Sequence, residues 1–250
     1  MGMDDGIDGR RAAYEALSTI EDALADGFRS GRPVPEFADQ AYGEGPDSAT
    51  PAAQRPAGDD SLAGDDSLAS VATDAARCLA CRLAAGRTRV VPGQGPERPL
   101  VMVIGEGPGA EEDKTGLPFV GPAGQLLDKM LASIGLSRDE NCYIGNIVKC
   151  RPPMNRDPAP DEQAACARFL DRQIALLRPK VYLAVGRIPA QSLLGVKDGI
   201  GRLRGKVYEY RGAPLVATYH PSALLRDESL KRPAWEDLKL VRSILDGMGR

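Results

Sequence analysis

One histidine, His220, and five cysteines carry most of the chemistry available to this 250-residue sequence. With a single histidine, a catalytic triad, a zinc-protease motif and a multi-histidine metal site would all compete for the same residue, which excludes most of them. Cys78 and Cys81 form a C-x2-C pair, while Cys150 and Cys166 are separated by 15 residues. Four thiolates can hold tetrahedral zinc or a 4Fe–4S cluster. A zinc ribbon pairs two short knuckles, so the wide second spacing leans towards iron–sulfur and leaves zinc open. Disulfides do not suit the reducing compartment expected for a chain without a secretory layout at its start. Cys142, in an apolar stretch, reads as a core thiol.

A second cluster of chemistry lies at 105–119. Gly105-Glu106-Gly107-Pro108-Gly109 follows an apolar run. A dinucleotide fingerprint needs glycine at its sixth position, where Ala110 stands, and Glu111, Glu112 and Asp113 would repel a pyrophosphate. No Gly-Lys-Ser/Thr follows, which excludes a P-loop. The glycines let the backbone approach a ligand closely, and Glu106 stands at a strand end where a catalytic carboxylate can act. For the pentapeptide alone, a tight turn with a solvated glutamate is the favoured reading. The third cluster follows His220, where Pro221 stiffens the backbone and Leu224 and Leu225 lie near Arg226, Lys231 and Arg232. An apolar tip on a basic loop suits insertion into a base stack, with cations on phosphates. Core packing of both leucines is the competing reading.

The elements that must position these groups alternate. Leu100–Ile104, Tyr143–Val148 and Val181–Val185 read as buried strands. Val207–Tyr210 and Leu215–Thr218 form a hairpin or separate strands. Leu126 to Ile134 covers one helix face ending at Gly135, Asp161–Leu177 is a helix stopped by Pro179, and Trp235–Leu245 is a closing helix. Such alternation predicts a mainly parallel sheet covered on both faces, with ligands beyond the carboxyl ends of the strands. The unusual residues follow strand ends: Glu106 to Phe119, Asn146 to Arg156 and Tyr219 to Arg226.

Charge divides the chain. Residues 1–70 hold 5 arginines, no lysine and 15 acidic residues, a net of −10, which leaves +7 for the rest of a chain whose total is −3. An acidic extension joined to a domain able to meet a polyanion fits this asymmetry, and so does an ordinary solubilising surface. Tyr14, Leu17, Ile20, Leu24 and Phe28 stand at helical spacing within 10–28. Beyond them lies a Gly, Pro, Ala, Ser and Asp-rich linker in which GDDSLA occurs at 58–63 and again at 64–69. The sequence thus divides into a mostly mobile extension, 1–70, and a folded domain, 71–250.

Taken together, these segments resemble the family-4 uracil-DNA glycosylases, the iron–sulfur branch of that superfamily, over about residues 75–247. The likeness rests on GEGPG at 105–109, Glu112-Asp113, GLPFVG at 116–121, Ala123-Gly124, NIVKCRPP at 146–153, His220-Pro-Ser222 and four cysteines in the right order. It implies a three-layer α/β/α sandwich with a central, mainly parallel four-stranded sheet. It also implies a monofunctional hydrolase that releases uracil from DNA in base-excision repair, in single strands or in U·G and U·A duplexes. By the same likeness, Phe119 stacks on uracil, Asn146 reads its pairing edge, and Glu112 stands near C5 to reject thymine. Backbone at Glu106 and Gly107 meets the base and the water, with Glu106 the candidate for organising that water. His220 donates to O2 of the leaving base. Cys78, Cys81, Cys150 and Cys166 hold a structural 4Fe–4S cluster. An aspartate found in better-known branches is replaced by Gly107. A covalent-trapping relative needs a second histidine, which this chain lacks, so water turnover is expected. The protein is expected to be a cytoplasmic, nucleoid-associated monomer with no membrane contact, and the 10–28 helix is a candidate recruiter of a protein partner. The alternative reading is a non-catalytic iron–sulfur DNA-binding module of the same fold.

Overall fold

A computed structural model describes residues 66–248. The helix expected at 10–28 lies outside the described residues, as does most of the tandem repeat. The first described helix, α1 (Leu68–Arg77), is capped by Ser67, whose hydroxyl accepts from the Ser70 N–H at 3.1 Å while its own N–H donates to Ser70 Oγ at 3.0 Å. Asp66 pairs with Arg172. The boundary expected at residue 70 therefore falls inside a helix whose cap and ion pair reach back to Asp66.

Three strands, β1 (Val101–Gly105), β2 (Cys142–Asn146) and β3 (Val181–Val185), are buried along their whole length. That is why they read as continuous apolar runs and not as alternating ones. A fourth strand, β4 (Val207–Tyr210), turns through Arg211 and Gly212, both at positive φ, into β5 (Ala213–Thr218). Two consecutive left-handed residues make the tight hairpin turn whose twist matches its strands. The sheet has the order β2-β1-β3-β5-β4, parallel except for the β4–β5 pair. It thus contains five strands and not the expected four, because the hairpin adds β4 as an antiparallel edge. The second strand also stops at Asn146, two residues short of Val148, where the chain turns towards Cys150.

Alternate side chains serve opposite layers. Met102 and Ile104 join a core with Phe169, Leu170 and Ile174 of the long helix Pro160–Leu177. Val101 and Val103 join another with Leu127 and Leu131 of helix Pro122–Ala132 and Leu238 and Val241 of helix Lys231–Met248. Chain direction across the sheet reverses at β1: the connection from β1 leads to β2 on one side, and that from β3 leads to the β4–β5 hairpin on the other. The carboxyl ends of β1 and β3 therefore open a crevice at the switch point, where open α/β sheets bind ligands.

Candidate functional site

The register of β1 and β2 sets Gly105 beside Asn146. Asn146 is 1% exposed, and its Oδ1 is the only buried side-chain oxygen or nitrogen without a hydrogen-bond partner among the described residues. A buried, unpaired acceptor costs about 1–3 kcal/mol, so it points to a donor supplied from outside the chain. Gly105 allows the approach. A Cβ there would lie 2.4 Å from Asn146 Oδ1 and 2.7 Å from Phe119 Cζ. Amide and phenyl ring thus both close on the bare backbone of Gly105.

Phe119 holds a φ of 53°, an uncommon backbone state for a bulky residue. Two charged side chains clamp it there. Glu112 Oε1 accepts from the N–H groups of Val120 and Gly121 at 2.9 and 3.1 Å, and its Oε2 accepts from Gly109 N–H at 3.1 Å. Arg138 donates to the carbonyls of Pro118 and Phe119, both at 2.9 Å, and pairs with Asp128. Glu112, expected beside a pyrimidine C5, thus has both oxygens committed to backbone: it ties the Gly105–Gly109 turn to the Phe119 loop.

His220 follows β5 and caps the short helix Pro221–Arg226. Its Nδ1 accepts from Ser222 N–H at 3.1 Å and lies 2.7 Å from Ser222 Oγ. An Nδ1 that accepts from a backbone amide carries no proton, so the neutral ring keeps its proton on Nε2. Burial, with Arg226 adding and Glu112 opposing, pulls the imidazole down to about 4. The ring stands 5.7 Å from the Phe119 ring, centroid to centroid. Gly186, at φ 110°, makes room: a Cβ there would stand 3.2 Å from that of His220. Below the histidine, Thr218 Oγ1 donates to buried Asp237 at 2.8 Å, and Arg204 donates to both oxygens of Asp237 at 3.0 and 2.9 Å.

Glu106 is partly buried at the mouth. Desolvation raises its carboxyl to about 7, with Asp157 adding to the rise and the Arg187 guanidinium opposing it. Those two residues also pair with each other. Gly107 packs against Val148 and Pro152, which draws the loop after β2 up to the turn.

The basic segment divides. Leu224 is 2% exposed and belongs to the core beside helix Pro122–Ala132, which corrects its assignment to a DNA-facing tip. Adjacent residues of a helix point about 100° apart, so with Leu224 turned inward only Leu225, at 51%, faces solvent. Arg226, Lys231 and Arg232 are exposed, with Lys231 paired to Glu228 at 2.6 Å.

Cys78, Cys81, Cys150 and Cys166 line one cavity, floored by Ala75 and Phe169. Hydrogen-bond donors surround the sulfurs. Arg168 donates to Cys78 at 3.2 Å, Arg87 to Cys150 at 3.3 Å, and Lys149 N–H to Cys166 at 3.3 Å. Guanidinium donors aimed at sulfur suit thiolates. Burial meanwhile pushes the Cys150 and Cys166 thiols up. Among the described residues no three His, Cys, Asp or Glu side chains close on one point as a single ion requires. Cys142 sits in the other core layer, where burial lifts its thiol to about 12.

Sequence reasoning missed three supporting residues: Arg138, Asp237 and Lys149. Lys149 is fully buried and donates from Nζ to the Asn146 carbonyl at 2.9 Å and to Gln173 Oε1 at 2.7 Å. A lysine inside the apolar-to-cysteine stretch 146–150 was the visible signal, because such a residue must find buried partners.

Comparisons with known proteins cover this same ground. The family model described as Uracil DNA glycosylase superfamily matches residues 92–239. The chain is 45% identical over 177 residues to the type-4 uracil-DNA glycosylase of Thermotoga maritima, spanning 69% of this chain and 92% of that protein. Against the type-4 uracil-DNA glycosylase of Archaeoglobus fulgidus it is 42% identical over 184 residues, with 70% and 92% covered. A type-5 uracil-DNA glycosylase of Thermus thermophilus matches at 36% over 153 residues, with 54% and 69% covered. The crevice residues from Gly105 to His220 all fall inside the matched family region, and the type-4 proteins are matched over nearly their whole length: the chain belongs to the uracil-DNA glycosylase superfamily, in its type-4 branch.

Proposed function

We propose that this protein removes uracil from DNA by hydrolysing the N-glycosidic bond of deoxyuridine, leaving free uracil and an abasic site. The observation that carries this reading is the open Asn146 acceptor facing a clamped phenyl ring, with a neutral imidazole beside it. The target nucleotide leaves its stack and enters the crevice, at least cost from a single strand or a U·G mismatch. Asn146 accepts from N3–H and donates to O4, a pairing that cytosine reverses. Phe119 stacks on the base. The fixed Glu112 carboxylate keeps the loop around C5 rigid. As the bond breaks, negative charge grows on uracil O2, and the Nε2–H of His220 gives a hydrogen bond that strengthens with it. Purified protein incubated with single- and double-stranded uracil oligonucleotides should yield alkali-labile sites. Binding without any cleavage would favour the non-catalytic module.

Water is the expected nucleophile, organised by Glu106, and the raised Glu106 carboxyl gives this assignment a pH signature. A base works as carboxylate, so single-turnover excision should climb as pH rises through about 7. The same shift acts on stability with opposite sign. The folded state favours the neutral acid, so Glu106 contributes less to stability as pH rises from its ordinary 4.5 through about 7. Glu106→Gln should flatten both trends; a wild-type rate flat across this range would remove Glu106 from the water-organising role.

Arg138→Met should lower excision roughly tenfold or more, since two charge-assisted hydrogen bonds on the Phe119 backbone are lost. Arg138→Lys should restore only part, because one ammonium cannot span both carbonyls. Oligonucleotide excision rates for the three proteins check this.

Cys78, Cys81, Cys150 and Cys166 would hold a 4Fe–4S cluster, whose contribution is structural: a tie between the end of α1 and the segment after Asn146. The donor set, with cations on its sulfurs, fits this group. Purified protein should carry about four irons and four sulfides per chain, and stripping them should lower the melting temperature. Zinc at one equivalent would overturn the assignment. The acidic N-terminal segment is proposed as a recruiting arm; deleting 1–65, which spares the α1 cap, tests it by partner capture.

A further inference from the structure

The loop after β2 leaves a large apolar side chain in solvent where the backbone is strained. Met154 is 94% exposed, the most of any large hydrophobic among the described residues. It holds a φ of 54°, and Asn155 follows at 53°. A left-handed state carries a steric cost for any residue with a side chain, and an isolated exposed methionine is ordinary by itself.

Here exposure and strain coincide with firm anchoring. Arg151 Nε donates to Asn155 Oδ1 at 2.8 Å. The N–H groups of Asn155 and Arg156 donate to the Pro152 and Pro153 carbonyls at 3.0 and 3.1 Å. Arg156 grips both oxygens of buried Glu162, at 2.8 and 2.6 Å. Pro152 is buried, and a Cβ on Gly107 would lie 3.5 Å from its ring. The loop is therefore fixed against the Gly105–Gly109 turn at the rim of the crevice, and only its apex is free. Strand order adds the second half. β2 and β5 flank the β1–β3 pair, so the Met154 loop and the loop carrying Leu225 bracket the crevice from its two sides.

We propose that Met154 is a second DNA-engaging prong, which enters the base stack of a bound duplex beside the position the extruded nucleotide has left. Leu225 presses from the other side. The inference rests on the uracil-excision reading. An unbranched, polarisable thioether suits the task, since it conforms to base faces and adds no polar group to the stack. A prong of this kind acts only where a stack must be held open. A single strand needs no such help.

Single-turnover excision on matched single-stranded and U·A duplex oligonucleotides, with wild type, Met154→Ala, Met154→Gly and Met154→Phe, tests it. Alanine and glycine should lower the duplex rate about tenfold or more and leave the single-strand rate within about twofold. Phenylalanine should keep the duplex rate. Glycine, at ease at this φ, should not lower the melting temperature, so its duplex loss cannot come from misfolding. Equal losses on both substrates, or unchanged duplex rates in the alanine and glycine proteins, would overturn the prong. Wild-type protein inactive even on single-stranded uracil would instead defeat the excision reading.

Discussion

His220→Ala should lower single-turnover uracil excision by about 10²–10³-fold, the range found when one donor to a developing oxyanion is removed. The size of the effect follows from the ring's setting. Ser222 N–H occupies Nδ1, and Asp237 with Arg204 steadies the strand end at Thr218, two residues earlier. The donor is therefore aligned before the reaction begins and loses nothing in reorientation. Because burial keeps the ring neutral, it would give the leaving base a hydrogen bond and would not meet the substrate as a cation. Ground-state binding should change little, so the loss should fall on the chemical step and not on oligonucleotide affinity.

Asn146→Ala should cost a similar factor, about 10²–10³-fold, but through a different parameter. Two hydrogen bonds to the pairing edge disappear, and the pocket keeps its stacking wall. Uracil should lose affinity as a product inhibitor, and selection against cytosine should weaken, because only the amide tells the two edges apart. Excision rates on uracil and cytosine oligonucleotides, with inhibition by free uracil, separate this outcome from that at His220. If Asn146→Ala leaves product inhibition unchanged, the amide is not the reader.

The strands β1 and β3 and the helix at 160–177 were legible in the sequence because buried strands are uniformly apolar and helix ends are marked by proline. Position at strand ends also marked Glu106, Asn146 and His220. The fifth strand depended on whether 207–218 formed a hairpin, and the Arg211-Gly212 pair does not carry the asparagine or aspartate that usually signals that turn. Leu224 and Leu225 could not be divided without knowing the phase of a six-residue helix. Arg138 and Asp237 are ordinary charged residues in sequence. Their roles come from the backbone groups and partners that tertiary folding brings to them. The family likeness named candidate residues for the base, and the structure added those that hold these side chains in place.

The chain has one histidine, so protein labelled with 15N-histidine gives a single imidazole. Nitrogen-15 spectra recorded from acid to neutral pH test most directly whether a neutral ring, protonated on Nε2, serves the leaving base. The structure predicts that tautomer, with no titration until pH falls towards about 4, and a perturbed Nε2–H resonance when uracil is added. An imidazolium at neutral pH, or a proton on Nδ1 with Nε2 insensitive to uracil, would contradict it.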